Sequence, residues 1–420
     1  MRIVKATCNF EREPLIAPFG FKGGYLSELW QTIAHMQSES GNEAVGLGTQ
    51  STLWSDASIF TSSSESAGNS MMFLMTSYAL ERAKEIDWDS PFGLLDNILP
   101  DVYEYGKKIT NNSHLRLTFA LNSLVAVDNA AWLLYCKAKG ITNFDDMLPA
   151  DIKSALSCRH DKLANIPLMS YNVPLNKIVE AVKQGYFFLK IKIGSDPDKD
   201  GNLDKMLQWD KNRLKEIHEA VKNIETPYTD NGHIPYYFDA NGRYDSKERL
   251  MKFLKFAEKI EAIDRIILME EPFPEEFQKD VSDIPVRLAA DESAHSDKDA
   301  LVRIQQGYTA IALKPIAKTM SMSLKIAKLA YEKNIPCFCA DLTVNPILVD
   351  WNKNVAARLP SLPGMKIGVL ESNGHQNYKN WEQMKQRHPM AGASWIEPRN
   401  GIFHLSQEFY EANGGILKTG

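Results

Sequence analysis

Two lysines alternate with apolar residues in the run Phe-Leu-Lys-Ile-Lys-Ile-Gly over 188–194. The run is typical of a β-strand, in which side chains alternate between faces, so Lys190 and Lys192 share one face. Two cations on one face of a buried strand are costly unless that face lines a polar site, where a lysine can act as a base. A half-exposed edge strand is the alternative for this run alone, because charged edges are common.

Charged residues also stand at the ends of later apolar runs. Asp239 ends Tyr-Phe-Asp, Glu270 ends Leu-Met-Glu, and Asp291 follows Leu-Ala-Ala. Lys314 ends a further run, Ala-Leu-Lys. Polar residues at or just after such strand ends are Asn241, Glu271, Glu292, Asp341 and Glu371.

The three carboxylates predict a metal site. Neighbouring strands lie about 4.8 Å apart, so Asp239, Glu270 and Asp291 should converge on one small volume, where they would repel one another. A hard divalent cation removes that repulsion, and Mg²⁺ suits carboxylate and water ligands, with Mn²⁺ as an expected substitute. A layer of salt bridges without metal is the alternative, although acidic and basic groups alternate by strand rather than pairing locally.

Short apolar runs separated by helical stretches must position these residues. Strands joined by such crossovers predict a parallel α/β barrel, and barrel enzymes place their chemistry at the strand ends. An open doubly wound sheet is the alternative, but the sequence has no GxGxxG or P-loop motif. The predicted strands are 167–170, 187–193, 236–239, 266–270, 286–290, 309–314, 336–340 and 366–370, and the predicted helices are 70–87, 113–140, 175–184, 206–223, 246–262, 297–306 and 319–333.

In order and spacing these motifs resemble the enolase superfamily, in the subgroup of muconate-lactonizing enzymes and dipeptide epimerases (the mandelate racemase/muconate lactonizing enzyme family). Lys-Ile-Lys resembles the KxK strand, Asp-Ala-Asn-Gly the third-strand motif, Met-Glu-Glu-Pro-Phe the fourth and Ala-Asp-Glu-Ser the fifth. Val-Asp-Asn-Ala-Ala-Trp over 127–132 resembles the helix that closes the capping domain.

The resemblance implies an α/β fold, a modified (β/α)7β TIM-like barrel with an α+β capping domain built from the N-terminal segment and the C-terminal tail. The capping domain would be 1–160, the catalytic barrel 161–375, and the segment that packs back on the cap 376–420.

The resemblance also implies a role for each site residue. Asp239, Glu270 and Asp291 would be the Mg²⁺ ligands, and Lys192 and Lys314 would be the acid/base catalysts on opposite sides of the substrate. The reaction would remove the proton α to a substrate carboxylate through an enediolate, as in a racemase or epimerase. A cycloisomerase, a dehydratase and a non-catalytic ligand-binding barrel stay as alternatives. Auxiliary or substrate-contacting residues would be Lys190, Asn241, Glu292, Glu371, Asp341, Phe19, Phe21 and Trp54.

Departures from the family pattern bear on the substrate. The seventh strand ends in Asp341 and lacks the histidine of the mandelate-racemase subgroup. Dipeptide epimerases often carry Asp-x-Asp on the eighth strand, where this chain has Glu371-Ser372-Asn373, which argues against an ordinary dipeptide. The turns near 18–24 and 47–60 carry aromatic residues and a lysine, which indicates a substrate with an apolar or ring portion or a second acidic group. Plain loop packing is the alternative for these turns.

The composition limits partners and compartment. Of 420 residues, 44% are hydrophobic and 24% charged, and the net charge is −5, which argues against nucleic acid as a partner. No apolar run is long enough to span a bilayer. Five cysteines, an odd number spread along the chain, fit a reducing compartment. We expect a cytoplasmic homo-oligomer that binds a small-molecule carboxylate, and neither nucleic acid nor a membrane.

Overall fold

An antiparallel sheet begins the chain. The computed structural model describes residues 1–21 and 24–418, with the backbone alone for 19–21 and 24. The central strand pairs with a neighbour on each side, and the alternating burial of the third strand indicates one covered face. The strands are β1 (Ile3–Phe21), β2 (Gly24–Ser38) and β3 (Glu43–Gln50).

Helices pack on this sheet and complete the cap. They are α1 (Thr52–Ser55), α2 (Ala57–Ser62), α3 (Glu65–Lys84), α4 (Pro91–Thr110), α5 (Leu117–Ser123), α6 (Val125–Lys139), α7 (Phe144–Met147) and α8 (Ala150–Lys153). A Cβ at Gly46 of β3 would stand 2.1 Å from the Ala126 carbonyl oxygen of α6, so only glycine allows this close approach. Of the described helices, none alone is long and apolar enough to cross a membrane, and the bent pair α5–α6 meets that test of length and composition only jointly.

Parallel strands then close a barrel. They are β4 (Lys162–Ile166), β5 (Leu168–Met169), β6 (Leu189–Lys192), β7 (Tyr236–Asp239), β8 (Ile266–Glu270), β9 (Leu288–Ala290), β10 (Ala310–Leu313), β11 (Cys337–Cys339) and β12 (Gly368–Glu371). The first barrel strand is in two pieces, β4 and β5, on either side of Pro167. Because β12 pairs with β4 and β5 pairs with β6, the sheet closes on itself. The sequence predicted only the second piece, since a proline within a run lowers its strand character.

Helices follow most of these strands, as the sequence predicted. They are α9 (Leu175–Lys183), α10 (Leu203–Val221), α11 (Lys247–Lys259), the 3-10 helix η1 (Ile263–Arg265), α12 (Asp297–Gln305), α13 (Met320–Glu332) and α14 (Pro346–Ala356). The fold class predicted from the sequence, a (β/α)7β barrel with an α+β cap, is confirmed.

The C-terminal tail contacts both parts. Its elements are α15 (Gly374–Asn377), α16 (Trp381–Gln386), β13 (Ile402–His404), α17 (Gln407–Ala412) and the 3-10 helix η2 (Asn413–Lys418). The Lys379 amide donates to the Pro14 carbonyl at 3.1 Å, and Asn380 Nδ2 donates to Glu13 Oε2 at 3.0 Å. Strand β13 adds antiparallel to β4, so the tail ties cap strand β1 to the barrel.

A carboxylate from the cap satisfies the first turn of a barrel helix. Asp128 of α6 accepts from the Ser321 amide at 3.0 Å and from the Ser321 hydroxyl at 2.6 Å, while Trp132 Nε1 donates to that hydroxyl oxygen at 3.0 Å. The amides of a first helical turn lack intrahelical partners, so Asp128 caps α13 from another domain. Burial raises the pKa of Asp128 to about 6, against the opposing effect of the Ser321 hydrogen bonds.

We expect Asp128→Ala to lower the free energy of unfolding by about 1–2 kcal/mol, the usual effect of losing a helix cap, and Asp128→Asn to lower it less, because an amide oxygen still accepts. The pKa of Asp128 rises on folding from 3.8 to about 6, so the folded state binds this proton more tightly. The carboxylate's contribution to stability therefore falls as the pH rises through that interval. Calorimetry should show that the stability of Asp128→Asn increases relative to that of the parent as the pH rises from 3.8 to about 6. The relative increase should persist at higher pH. An Asp128→Ala protein as stable as the parent would contradict the capping role.

Candidate active site

Strand register brings the predicted catalytic residues level with one another. Lys192 pairs with Asp239, and Asp239 with Glu270, as neighbouring Cα positions on β6, β7 and β8. These three positions are the last residues of their strands, so their side chains meet at the carboxyl end of the barrel. All three side chains are buried.

Lys190 lies at the centre of the carboxylates. Its Nζ is 2.9 Å from Glu270 Oε1, 3.1 Å from Asp239 Oδ2 and 3.2 Å from Glu371 Oε2. The Tyr237 hydroxyl, two residues before Asp239 on the same face, donates to Glu270. Lys190 is only 3% exposed, so the half-exposed edge strand does not describe this part of the chain.

Lys192 belongs to a chain of polar contacts beside Lys190. Its Nζ donates to Asp239 Oδ2 and to Asn241 Oδ1, each at 2.5 Å. Asn241 Nδ2 in turn donates to Glu292 Oε1 at 2.9 Å. The amide thus links the ammonium group to a second carboxylate.

Lys314 occupies the other side of the cluster. Its Nζ lies 2.5 Å from Asp291 Oδ2 and 4.5 Å from the centre of the Trp54 ring, which α1 of the cap places over it. Lys318, fully buried, donates to the backbone carbonyls of Asp291 at 2.6 Å and Ala294 at 3.0 Å. Lys318 therefore holds the loop that carries Asp291.

Burial and ion pairing shift the pKa values of these groups in opposite directions. Burial raises the pKa of Glu270 to about 8, although Lys190 lowers it. Burial also acts to raise the pKa of Asp291, but Lys314 and Lys318 outweigh it and hold that pKa well below its usual range. For Lys314, burial acts to lower the pKa, and Asp291 reverses the effect so that the net pKa is raised. Each ionised group here depends on its partner.

Three carboxylates could hold a divalent cation. Glu270, Asp291 and Glu292 each offer an oxygen, and these oxygens all lie within 4.8 Å of one another. Glu292 Oε2 is buried without a hydrogen-bond donor in the described parts of the chain. An unsatisfied carboxylate oxygen in a group of buried carboxylates fits a hard cation such as Mg²⁺. Asp239, expected as a ligand from the sequence, is not a member of this group and instead contacts Lys190 and Lys192 through Oδ2.

Some of the remaining predicted residues line the cavity, and the side chains of the others are not described. Asp341 and Glu371 line the same cavity as the lysines, as does Trp54. Asp341 accepts from the amides of Leu342 at 2.7 Å and Asn373 at 2.8 Å. The side chains of Phe19 and Phe21 lie outside the part of the chain that the structure describes.

Sequence reasoning missed two of the groups that contact the cluster. Tyr237 carries a recognisable signal, because a residue two positions before Asp239 on a strand must share its face. Lys318 follows Lys314 by four residues on the turn into α13. Nothing in that spacing marks it as buried. The arrangement as a whole can bind a cation and move protons from two sides.

Comparisons with known proteins identify the family and the fold. The family model described as "Enolase C-terminal domain-like" matches residues 175–391, which is more than half of the chain. A comparison with curated protein sequences finds no match.

Several solved structures share the fold. A dipeptide epimerase from Enterococcus faecalis V583, complexed with Mg and the dipeptide L-Leu-L-Tyr, has a TM-score of 0.64 at 19% identity, covering 97% of this chain and 98% of that one. A mandelate racemase/muconate lactonizing protein from Herpetosiphon aurantiacus has a TM-score of 0.64 at 16% identity, covering 96% of each chain. The L-Ala-D/L-Glu epimerase from Bacillus subtilis has a TM-score of 0.61 at 19% identity, covering 91% of each.

The cation site can be tested by direct binding. Asp291→Asn and Glu292→Gln should each weaken Mg²⁺ binding about a hundredfold, measured by calorimetry without substrate. Even mutations of residues that only hydrogen-bond to metal ligands lower metal affinity about 10–100-fold. Asp264→Asn is the matched control, because Asp264 is an exposed residue just before β8, whereas Glu270 ends that strand. Unchanged Mg²⁺ affinity in both Asp291→Asn and Glu292→Gln would contradict the site.

Proposed function

Because this chain belongs to the enolase C-terminal domain-like family, we propose that it is an Mg²⁺-dependent enzyme that removes the proton α to the carboxylate of a small molecule. Within that class we propose a racemase or epimerase. The catalytic residues would be Lys192 and Lys314. Asp239, Glu270 and Asp291, the ligand set expected from the sequence, would hold the metal, and Glu292 is a further candidate ligand from the geometry.

The opposed positions of the two lysines carry this proposal. Lys192 ends β6, and Lys314 directly follows β10. In the closed barrel three strands separate β6 from β10 in each direction, so the two lysines face each other across the carboxylates. A substrate carbon between them would present one face to each ammonium or amine. Inversion at a carbon centre needs this arrangement, because the proton leaves from one face and returns to the other.

The lysines would work as a pair. One neutral lysine accepts the α-proton as the C–H bond breaks, and the ammonium of the other donates a proton to the opposite face of the same carbon. The product is the mirror configuration, and the enzyme ends with the proton on the first lysine. Mg²⁺, when bound, would hold the substrate carboxylate and stabilise the charge that develops on it.

The contacts around Lys192 and Lys314 hold both side chains in place for their proposed roles. Asn241 and Asp239 fix the Lys192 ammonium at 2.5 Å, and Asp291 with the Trp54 ring fixes that of Lys314. An ammonium group held this way needs little reorganisation before it donates a proton. Lys190 would stay charged and neutralise Glu270 and Glu371.

Other expectations remain proposals on the same footing. We propose Mn²⁺ as a substitute for Mg²⁺, a homo-oligomeric state, a cytoplasmic location, and the division into a cap (1–160), a barrel (161–375) and a returning tail (376–420). The dipeptide complexed with one of the structural relatives makes dipeptides one class of candidate substrate. In a cycloisomerase or dehydratase on the same site, only one lysine would move a proton.

Replacing each lysine separately distinguishes these reactions. In D₂O with Mg²⁺, NMR should show the parent exchanging the α-proton of an N-acyl amino acid or dipeptide and inverting its configuration. Lys192→Met and Lys314→Met should each lose inversion by about 10³-fold, the scale of a general acid or base. Each should retain exchange of one enantiomer only, through the lysine that remains.

Lys298→Met is the matched control, since Lys298 is an exposed lysine on α12 outside the cluster, and it should behave as the parent. If one lysine variant keeps full turnover while the other loses it, the reaction uses a single base and the epimerase proposal is wrong.

A further inference from the structure

The cavity above the lysines has two chemically different sides. Its floor consists of the charged strand ends of the barrel. The opposite side, which we call the roof, is contributed by the cap and consists of Leu15, Leu26, Leu29, Leu53 and the Trp54 ring. In the described residues, the only other cap side chain that lines the cavity is the uncharged Ser51.

The roof is a preformed part of the fold. Leu26 and Leu29 are 4% and 1% exposed, and with Leu53 they pack in a small hydrophobic cluster separate from the main core. Tyr378 of the tail belongs to that cluster, and its hydroxyl donates to the Thr343 carbonyl at 2.5 Å. The leucines are therefore held in place by cap and tail together.

Polar groups beside the roof are already paired within the protein. The Thr343 hydroxyl donates to Asn373 Oδ1 at 2.7 Å. Both oxygens of Asp341 accept backbone amides, and Glu371 lies against Lys190. A charged group on a ligand would have to displace one of these partners or remain unpaired, and an unpaired buried charge is strongly unfavourable.

We propose that the substrate is a carboxylic acid whose arm beyond the α-carbon is uncharged and aliphatic, and that the roof binds this arm. The proposal rests on the proposed function, which places the carboxylate and α-carbon at the floor. The arm must then extend toward the cap, where methylene groups lose water against Leu15, Leu26 and Leu29.

A substrate series with one amino acid and different acyl groups tests the inference. N-acetyl-, N-propanoyl-, N-butanoyl- and N-pentanoyl-alanine, whose arms are uncharged, are compared by α-deuterium exchange with Mg²⁺. The compounds with a charged arm are N-succinyl-alanine, which carries a second carboxylate, and the dipeptide Gly-Ala, which carries an ammonium group. We expect kcat/KM to rise about fourfold for each methylene, the ratio that corresponds to about 0.8 kcal/mol per buried CH₂. Both charged compounds should fall about a hundredfold or more below N-butanoyl-alanine.

A lysine placed in the roof should shift this preference. Leu15 is half-buried on β1, so Leu15→Lys should fold, and it should raise the ratio of N-succinyl-alanine to N-pentanoyl-alanine turnover by at least about tenfold through a new ion pair. Ile16→Lys is the matched control, because the adjacent Ile16 is 62% exposed and outside the cavity lining. It should leave the ratio at the parent value.

The outcomes separate the two proposals. Exchange that is fastest with Gly-Ala or N-succinyl-alanine, or that does not depend on chain length, overturns the apolar arm and leaves the proposed function intact. A dominant Gly-Ala would indicate that Asp341 binds an ammonium group. Exchange with none of the compounds overturns the proposed function, and the apolar arm with it.

Discussion

Mutual neutralisation of buried charges is the constraint on which the rest of the structure depends. Lysines and carboxylates stand at the carboxyl ends of the barrel strands with almost no exposure to water. An isolated ion in such a place would cost several kcal/mol, and each pair is stable only while both partners are present. Lys190 satisfies this condition for Asp239, Glu270 and Glu371 together. The parallel register that sets these residues level is therefore as important as their chemical types.

This neutralisation also bears on reactivity. The carboxylate of Asp291 raises the pKa of Lys314 and so favours the ammonium form, which cannot accept a proton. A divalent cation beside Glu270, Asp291 and Glu292 would offset part of that negative charge, and the pKa of the lysine would fall. Metal binding and the availability of a base are thus coupled by the same ion pairs. Lys318 contributes because it fixes the Asp291 carbonyl and so limits how far the carboxylate can move.

Local sequence patterns predicted the barrel well, because each strand and its terminal charged residue lie within a few neighbouring positions. The alternation of Lys190 and Lys192 sufficed to place both on one face. The split first strand was less predictable, since Pro167 interrupts the ladder. The roof could be predicted only in part: the sequence indicated the turn near 47–60 and Trp54, whereas Leu15, Leu29 and Leu342 line one cavity only through the docking of cap on barrel, which no local pattern encodes. The candidate metal group also differs from the ligand set predicted from the sequence, because side-chain geometry brings Glu292 into the group.

In the proposed function, the fold separates the floor, which would do the chemistry, from the roof, which would contact the far end of the substrate. The floor is fixed by strand pairing inside the barrel, where a shift of register would break several ion pairs at once. The roof leucines pack in their own hydrophobic cluster, which includes Tyr378 of the tail, whereas Trp54 packs against the main core. Changes at the roof leucines should therefore leave the ion pairs of the floor in place, since groups without shared contacts act nearly independently, whereas a change of Trp54 would remove its contact with Lys314. Under the proposed function, a barrel of this kind would keep one proton-transfer apparatus while its cap determines which acid reaches it.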